Sequence, residues 1–350
     1  MNFASDNCAA VHPDVMQAIV KSNQGHATPY GDDAAMDRVR DRMRRIFEAP
    51  GAAVYLVATG SAANALALAT LVQPWQTIYC HRAAHIETDE CGAPEFFTGG
   101  ARLTLLDGAD GKISPCTLRR AISATPHGDV HSVQRGAVSI TNSTEAGTIY
   151  TPDEVAEISA VVKQHDLALH MDGARFSNAL AFAGCSAAEL SWKSGVDVLS
   201  FGGTKNGLMG VEAVVMFDPA RAWEFELRRK RAGHLLSKHR YLSVQIEASL
   251  QGDLWLDMAR GANAMAARLA GGLSSIAGVE IAHPVQANMV FARMSRAQHR
   301  RAYASGAVYH LIPVDAPLEG NDDDDLLSRL VCSWSTSAQE VDRFLELIRT

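Results

Sequence analysis

Short β-branched apolar runs alternate with longer stretches of helical spacing along most of the chain. Residues 53–57 read as a strand, 62–71 as a helix, 77–80 and 102–106 as strands, and 118–123 as a helix. The alternation repeats with 136–141 (GAVSIT) as a strand, 152–164 as a helix and 167–171 (LALHM) as a strand. Thr151 with Glu154 three positions on gives that helix a capping-box start. Residues 196–201 (VDVLSF) and 211–217 (VEAVVMF) are two further buried strands. Strands that are apolar throughout and alternate with helices predict an α/β fold, a mostly parallel sheet flanked by helices. Ligands in such folds sit at the carboxyl ends of the strands.

Beyond Phe217 the pattern changes. Two long helical stretches, an Arg-rich one over 219–232 and another over 241–273 containing Trp255, predict a bridge. A compact mixed region follows from Gly278, with strands near 287–293 and 329–333 and a closing helix near 339–348. The expected organisation is an N-terminal arm and helix (1–30), a large domain (31–250) with the bridge beginning near 219, and a small C-terminal α/β domain (251–350). Asn321 to Asp325 (NDDDD) reads as a solvated acidic loop rather than a metal site.

Composition narrows the class. At 350 residues, 47% apolar and 20% charged, the chain can build full cores, which excludes disorder and a disulfide-stapled miniprotein. A net charge of −7 without a basic block argues against nucleic acid as partner. The six cysteines are scattered, with no C-x-x-C, and read as free thiols. The start MNFASDNCAA has no charged n-region or apolar h-region, and the most apolar stretch, 52–72, is interrupted by Thr59, Gly60, Ser61 and Asn64. A soluble cytoplasmic protein with no membrane partner is expected.

Three short segments carry candidate chemistry. No G-x-G-x-x-G or Walker A sequence is present. Thr59-Gly60-Ser61-Ala62, between a strand and an Ala/Leu helix, offers either an anion-binding helix start or an ordinary serine N-cap. His170-Met171-Asp172-Gly173-Ala174-Arg175 puts an Asp and an Arg at a strand's carboxyl end, as ligand groups or as an ion pair closing a turn. Ser200-Phe201-Gly202-Gly203-Thr204-Lys205 places a lysine among small residues after a buried strand, where a desolvated amine can form a Schiff base. Anion turn, carboxylate and lysine in that order match what pyridoxal 5′-phosphate needs: donors for its phosphate, an acid partner for its ring nitrogen, an amine for its aldehyde.

Several longer motifs extend the match: FASDNCAAVHPDV (3–15), YGDD (30–33), ATGSAANALAL (58–68), AHIETDECGAPE (84–95), STEAGTIY (143–150), LHMDGARFSNA (169–179), DVLSFGGTKNG (197–207) and SRLVCSW (328–334). With these the chain resembles the low-specificity L-threonine aldolases, pyridoxal-phosphate enzymes of the β-eliminating lyase group. The resemblance implies the aspartate aminotransferase-like type I fold. It implies Lys205 as the Schiff-base lysine, Asp172 as partner of the ring nitrogen and His85 stacked on the cofactor face. It places Gly60, Ser61 and the Ala62 amide at the phosphate, Arg175 beside cofactor and substrate, and Ser5 and Arg329 at the substrate carboxylate. Tyr30 corresponds to a residue that lines the neighbouring subunit's site, and Lys230 or Lys238 to a basic segment reaching the phosphate across a dimer interface. A homo-oligomer, a dimer of dimers, is implied.

One position departs from the family. Where many members carry a second active-site histidine, this chain has Glu145. It could bind the substrate β-hydroxyl, or serve only as an acceptor for His85 or Arg175. The expected reaction is cleavage of L-threonine or L-allo-threonine and related 3-hydroxy amino acids to glycine and an aldehyde. The alternatives are a phenylserine aldolase or another pyridoxal-phosphate lyase or racemase on the same scaffold, and a non-catalytic carrier. His81 and His85, four apart in a possible helix, lack a third ligand, so no metal is expected. His170 reads as a satisfied core histidine, and Trp75, Trp192, Trp255 and Trp334 as packing residues.

Overall fold

Successive residues of the large sheet's strands enter opposite cores. In the computed structural model, which describes residues 1–349, β1 (Ala53–Val57) sends Val54 and Leu56 to one hydrophobic cluster and Tyr55 and Val57 to another. The same split divides β7 (Glu212–Met216), with Ala213 and Val215 on one face and Val214 and Met216 on the other. Burial on both faces is why these strands read as unbroken apolar runs. Between them in sequence lie β2 (Gln76–His81), β3 (Arg102–Leu106), β4 (Gln134–Thr141), β5 (Ala168–Gly173) and β6 (Val198–Phe201). The sheet order is β1-β7-β6-β5-β4-β2-β3, and only β7 runs against its neighbours.

The helices α1 (Pro13–Ser22), α2 (Ala34–Ile46) and α3 (Gly60–Leu71) follow different logics. α3 is apolar all round and buries every residue from Ala62 to Leu71, as a helix enclosed in a core must. It starts two residues before the expected 62, and its N-cap is Thr59, whose hydroxyl accepts the Ala62 N–H at 3.2 Å, so the serine-cap expectation moves to threonine. α2 buries Ala35, Met36, Val39 and Met43 along one stripe under an Arg- and Asp-rich outer face. That charge concealed it from the apolar pattern.

A second sheet, all antiparallel, orders β10 (His310–Ile312), β11 (Asp325–Val331), β9 (Met289–Ser295) and β8 (Glu280–Ile281). Its core joins Val290, Leu330 and Phe344 to Leu269 of the helix Leu254–Ser274 and to Phe3 from the opposite end of the chain. The Phe3 N–H donates to the Val308 carbonyl at 2.7 Å, and the Val331 N–H to the Phe3 carbonyl at 2.8 Å. The N-terminal segment is thereby stitched to the small sheet, and it passes the carboxyl ends of the large one.

Other expectations change. The helical pattern over 241–273 is two helices, Arg240–Ser249 and Leu254–Ser274, divided where Gly252 and Asp253 take φ of +59°. The stretch 219–232 is a 3-10 turn, Pro219–Arg221, followed by the helix Ala222–Arg231. Trp75 is 62% exposed and packs no core. His81 closes β2 while His85 opens the short helix His85–Thr88, so the two do not share a helix. In the acidic loop Asp324 pairs with Arg296 at 2.6 Å and Asp322 with Arg300, which pins the loop. His170 is fully buried with Nδ1 2.9 Å from the Ser139 hydroxyl and Nε2 3.0 Å from that of Ser200, and burial pushes it down to about 4.

Candidate active site

The carboxyl ends of β2, β4, β5 and β6 converge on one cleft, whose walls include Gly60, His85, Glu145, Asp172, Arg175 and Lys205. Backbone crowding places the lysine. A Cβ on Gly202 would lie 2.1 Å from the Ala174 carbonyl oxygen and one on Gly203 2.4 Å from that of Val211, so only glycines let the chain leave β6 this tightly. The turn is held by Glu212, which accepts the Gly203 N–H at 2.6 Å. Lys205 follows with an amine that has no hydrogen bond or ion pair among the described residues. Burial, and then the Arg175 charge, draw this amine below its usual range, against the pull of Asp6, Asp172 and Glu212.

Asp172, the last residue but one of β5, lies beside Thr141 and Ser200. Its Oδ1 accepts the Ala174 N–H and its Oδ2 the Asn64 amide, both at 2.9 Å. Arg175 donates to Asp6, Nε to Oδ2 at 2.7 Å and Nη2 to Oδ1 at 2.9 Å, and Asn288 donates to the same carboxylate at 3.0 Å. Burial raises the Asp6 carboxyl, but the charge and hydrogen bonds of Arg175, helped by Lys205 and Asn288, hold it below its ordinary value. His85 contacts Glu90 through Nδ1 at 2.9 Å, and that bond outweighs burial and raises the imidazole.

Glu145 accepts the His85 backbone N–H at 3.0 Å and the Thr141 hydroxyl at 2.8 Å, both through Oε1. Its partner is therefore the His85 backbone, not the ring or Arg175. The residue is partly reachable, yet Oε2 is shut from water and unpartnered. Burial pushes this carboxyl up to about 7, with Asp172 adding to the rise.

The remaining expected residues lie around this cleft rather than in its walls. Ser61 and Ala62 follow Gly60 in the first turn of α3, where the Ala62 N–H is already given to Thr59. Ser5 caps a short turn by accepting the Asn7 N–H at 3.2 Å. Arg329 donates to the Ala4 carbonyl at 3.4 Å and keeps a buried, unpartnered Nε. Tyr30 is 46% exposed with its ring 4.9 Å below the Lys230 ammonium, and Lys238 borders a separate pocket formed with residues 25–29. A roomier cleft of 490 Å³ opens at the amino ends of the strands, beside Arg135, His165 and Arg221, but holds no unpaired amine beside a carboxylate.

Three residues at the heart of the site were missed by sequence reasoning: Asp6, Asn64 and Glu90. A signal existed for Asn64. One amide in an otherwise Ala/Leu helix that is buried all round must find a buried partner.

The residues fit pyridoxal phosphate. The α3 start offers the Gly60 and Ser61 amides, which make no hydrogen bond among the described residues, and a Cβ on Gly60 would meet nothing within 4 Å. The free Lys205 amine suits an aldehyde, and the Asp172 carboxylate a ring nitrogen.

Comparison with known proteins agrees. Residues 2–297 match the beta-eliminating lyase family. The chain belongs to that family. This lyase-family chain is 43% identical to a low specificity L-threonine aldolase of Pseudomonas aeruginosa, over 99% of its own length and 96% of the relative's. Its fold superposes on a threonine aldolase of Leishmania major with a TM-score of 0.91 at 27% identity, covering 99% and 98% of the two chains. A serine palmitoyltransferase of Sphingomonas wittichii, 15% identical, shares the fold at a TM-score of 0.69, covering 100% of this chain and 86% of its own. The lyase-family chain has the type I pyridoxal-phosphate fold.

Proposed function

We propose that this chain cleaves the Cα–Cβ bond of L-threonine, L-allo-threonine and related 3-hydroxy amino acids, giving glycine and an aldehyde, with pyridoxal 5′-phosphate as cofactor. The observation that carries this reading is the unpaired, half-buried Lys205 amine in one cleft with Asp172, Arg175 and Glu145. The near-full-length identity to a threonine aldolase supports the substrate. When bound, the cofactor supplies a ring that takes up the electron pair left on Cα.

The chain's own residues do the rest. Lys205, drawn toward the neutral amine by burial, would hold the cofactor's aldehyde carbon. The first amides of α3 would bind its phosphate, with the Ser61 hydroxyl alongside. Asp172, fixed by Asn64 and the Ala174 N–H, would keep a proton on the ring nitrogen, and His85 would cover one ring face. Arg175 faces substrate with its fork set by Asp6, while Arg329 and Ser5 would receive the carboxylate from the N-terminal side. Glu145 takes the β-hydroxyl proton. A carboxyl at about 7 with a free oxygen can accept that proton and return it within one turnover near neutral pH.

The same reading places the working enzyme in the cytoplasm as a dimer of dimers. Supporting it, no helix among the described residues is long and apolar enough to cross a membrane, and Tyr30, exposed with Lys230 over its ring, does not line its own cleft, as a residue serving a neighbour would not. The test is product analysis. Holoprotein given L-threonine or L-allo-threonine should release glycine and acetaldehyde in equal amounts. Bound cofactor without acetaldehyde release would overturn the assignment, and benzaldehyde from phenylserine alone would move it to the phenylserine reading.

A further inference from the structure

In the cleft wall, His85 and Asp172 are joined by two side chains, Asn64 and Glu90, of which the proposed reaction uses only Asn64, to fix Asp172. His85 Nδ1 lies 2.9 Å from Glu90 Oε1, the same oxygen accepts from Asn64 Nδ2 at 2.9 Å, and that nitrogen also donates to Asp172 Oδ2 at 2.9 Å. Asn64 and Glu90 are 2% and 5% exposed. The donor inventory fixes how such a chain works. An amide nitrogen carries two hydrogens, so Asn64 can serve both carboxylates at once. A carboxylate only accepts, so the Glu90 contact requires the proton on Nδ1, which leaves Nε2 as the lone-pair nitrogen of the neutral ring. Nε2 has no partner among the described residues, and His85 is in the cleft wall.

The arrangement is also costly. Asn64 Oδ1 and Glu90 Oε2 are buried without a partner, a penalty that apolar residues of the same shape would not incur. Packing alone gives no reason to keep them. We propose that Glu90 and Asn64 are positioning residues that hold His85 in one tautomer and one orientation, Nε2 toward the cleft, and tie that setting to the Asp172 carboxylate. The consequence for catalysis rests on the reading of the cleft as a pyridoxal-phosphate site. The linkage itself belongs to the apoprotein and is measurable there.

The charged groups facing His85 come from four elements: Glu90 from its own loop, Asp172 from β5, Lys205 from the turn after β6, and Glu145 from the loop after β4, which holds the His85 backbone N–H. Removing the Glu90 charge should therefore lower the His85 titration midpoint. Nitrogen NMR of labelled histidine in the apoprotein reads both quantities. Wild type should show the Nδ1–H tautomer. Glu90→Gln should lower the midpoint by about one unit, a tenfold change in protonation, and Glu90→Asp, which keeps the charge, should stay nearer wild type. In the holoenzyme Glu90→Gln should cut kcat about tenfold with KM within about twofold, moving any acid limb set by His85 to lower pH. An Nε2–H tautomer in the wild type, which needs no variant to fold, would overturn the proposal. So would an unmoved midpoint in folded Glu90→Gln. Failure of the wild-type holoenzyme to cleave threonine would instead overturn the functional reading and leave these NMR results standing as support for the linkage.

Discussion

His299 and His85 stand in two regions that both bury charged and polar side chains, and their surroundings differ in kind. His299, under the small antiparallel sheet, has both ring nitrogens engaged, Nδ1 with the Tyr309 hydroxyl at 2.9 Å and Nε2 with the Leu326 carbonyl at 3.1 Å. Nearby, Arg296 is shared among Asp324 and the carbonyls of Pro317 and Asn321. At the carboxyl ends of the large sheet, Asn64, Glu90, Ser143 and Glu145 each keep a buried oxygen without a partner, and Lys205 has none at all. Each such group costs roughly 1–3 kcal/mol to leave unpaired. One region satisfies its polar groups within the fold, and the other leaves them unpaired, as the proposed ligand site requires.

The contrast can be broken at either end. Leu269 is wholly buried in the small-sheet core, and Leu269→Ala should cost about 2–5 kcal/mol of stability by denaturant titration while the folded fraction keeps kcat within about twofold. A collapse of kcat at unchanged stability would erase the distinction. Glu145→Gln should do the reverse, lowering kcat about a hundredfold at pH 8 with little change in cofactor affinity. Its stability effect has a definite sign. The folded value, about 7, lies above the ordinary 4.5, so the stability Glu145 lends is full below pH 4.5 and lost as pH rises through about 7. The apo variant should therefore melt higher than wild type above pH 7 and together with it below pH 4.5. The smallest expected effect is on stereochemistry. If Glu145 meets the β-hydroxyl, Glu145→Gln should change the ratio of threonine to allo-threonine cleavage, and an unchanged ratio would confine the carboxyl to holding the His85 backbone.

Much of the large sheet was legible because its strands are buried on both faces, and the order of anion turn, Asp172 and Lys205 follows from where those strands end. What stayed hidden has physical reasons. α2 is too charged for an apolar scan, β8 and β10 are two and three residues long, and the break at Gly252 interrupts a continuous helical pattern. Asp6 lay unremarked beside Ser5, because its contact with Arg175 spans 169 residues and exists only once Phe3 has docked under the small sheet. Glu90 shows no special spacing from His85 or Asn64. It is recognised only from a buried side chain between two others.

The central claim is that this cleft holds its cofactor through Lys205. Borohydride reduction of the holoprotein, followed by peptide mass mapping, tests it most directly. One pyridoxyl phosphate adduct per chain is expected, on the peptide containing Lys205, with the visible absorbance band lost in the same step and absent from Lys205→Ala. An adduct on another lysine, or a reconstituted protein that carries none, would contradict it.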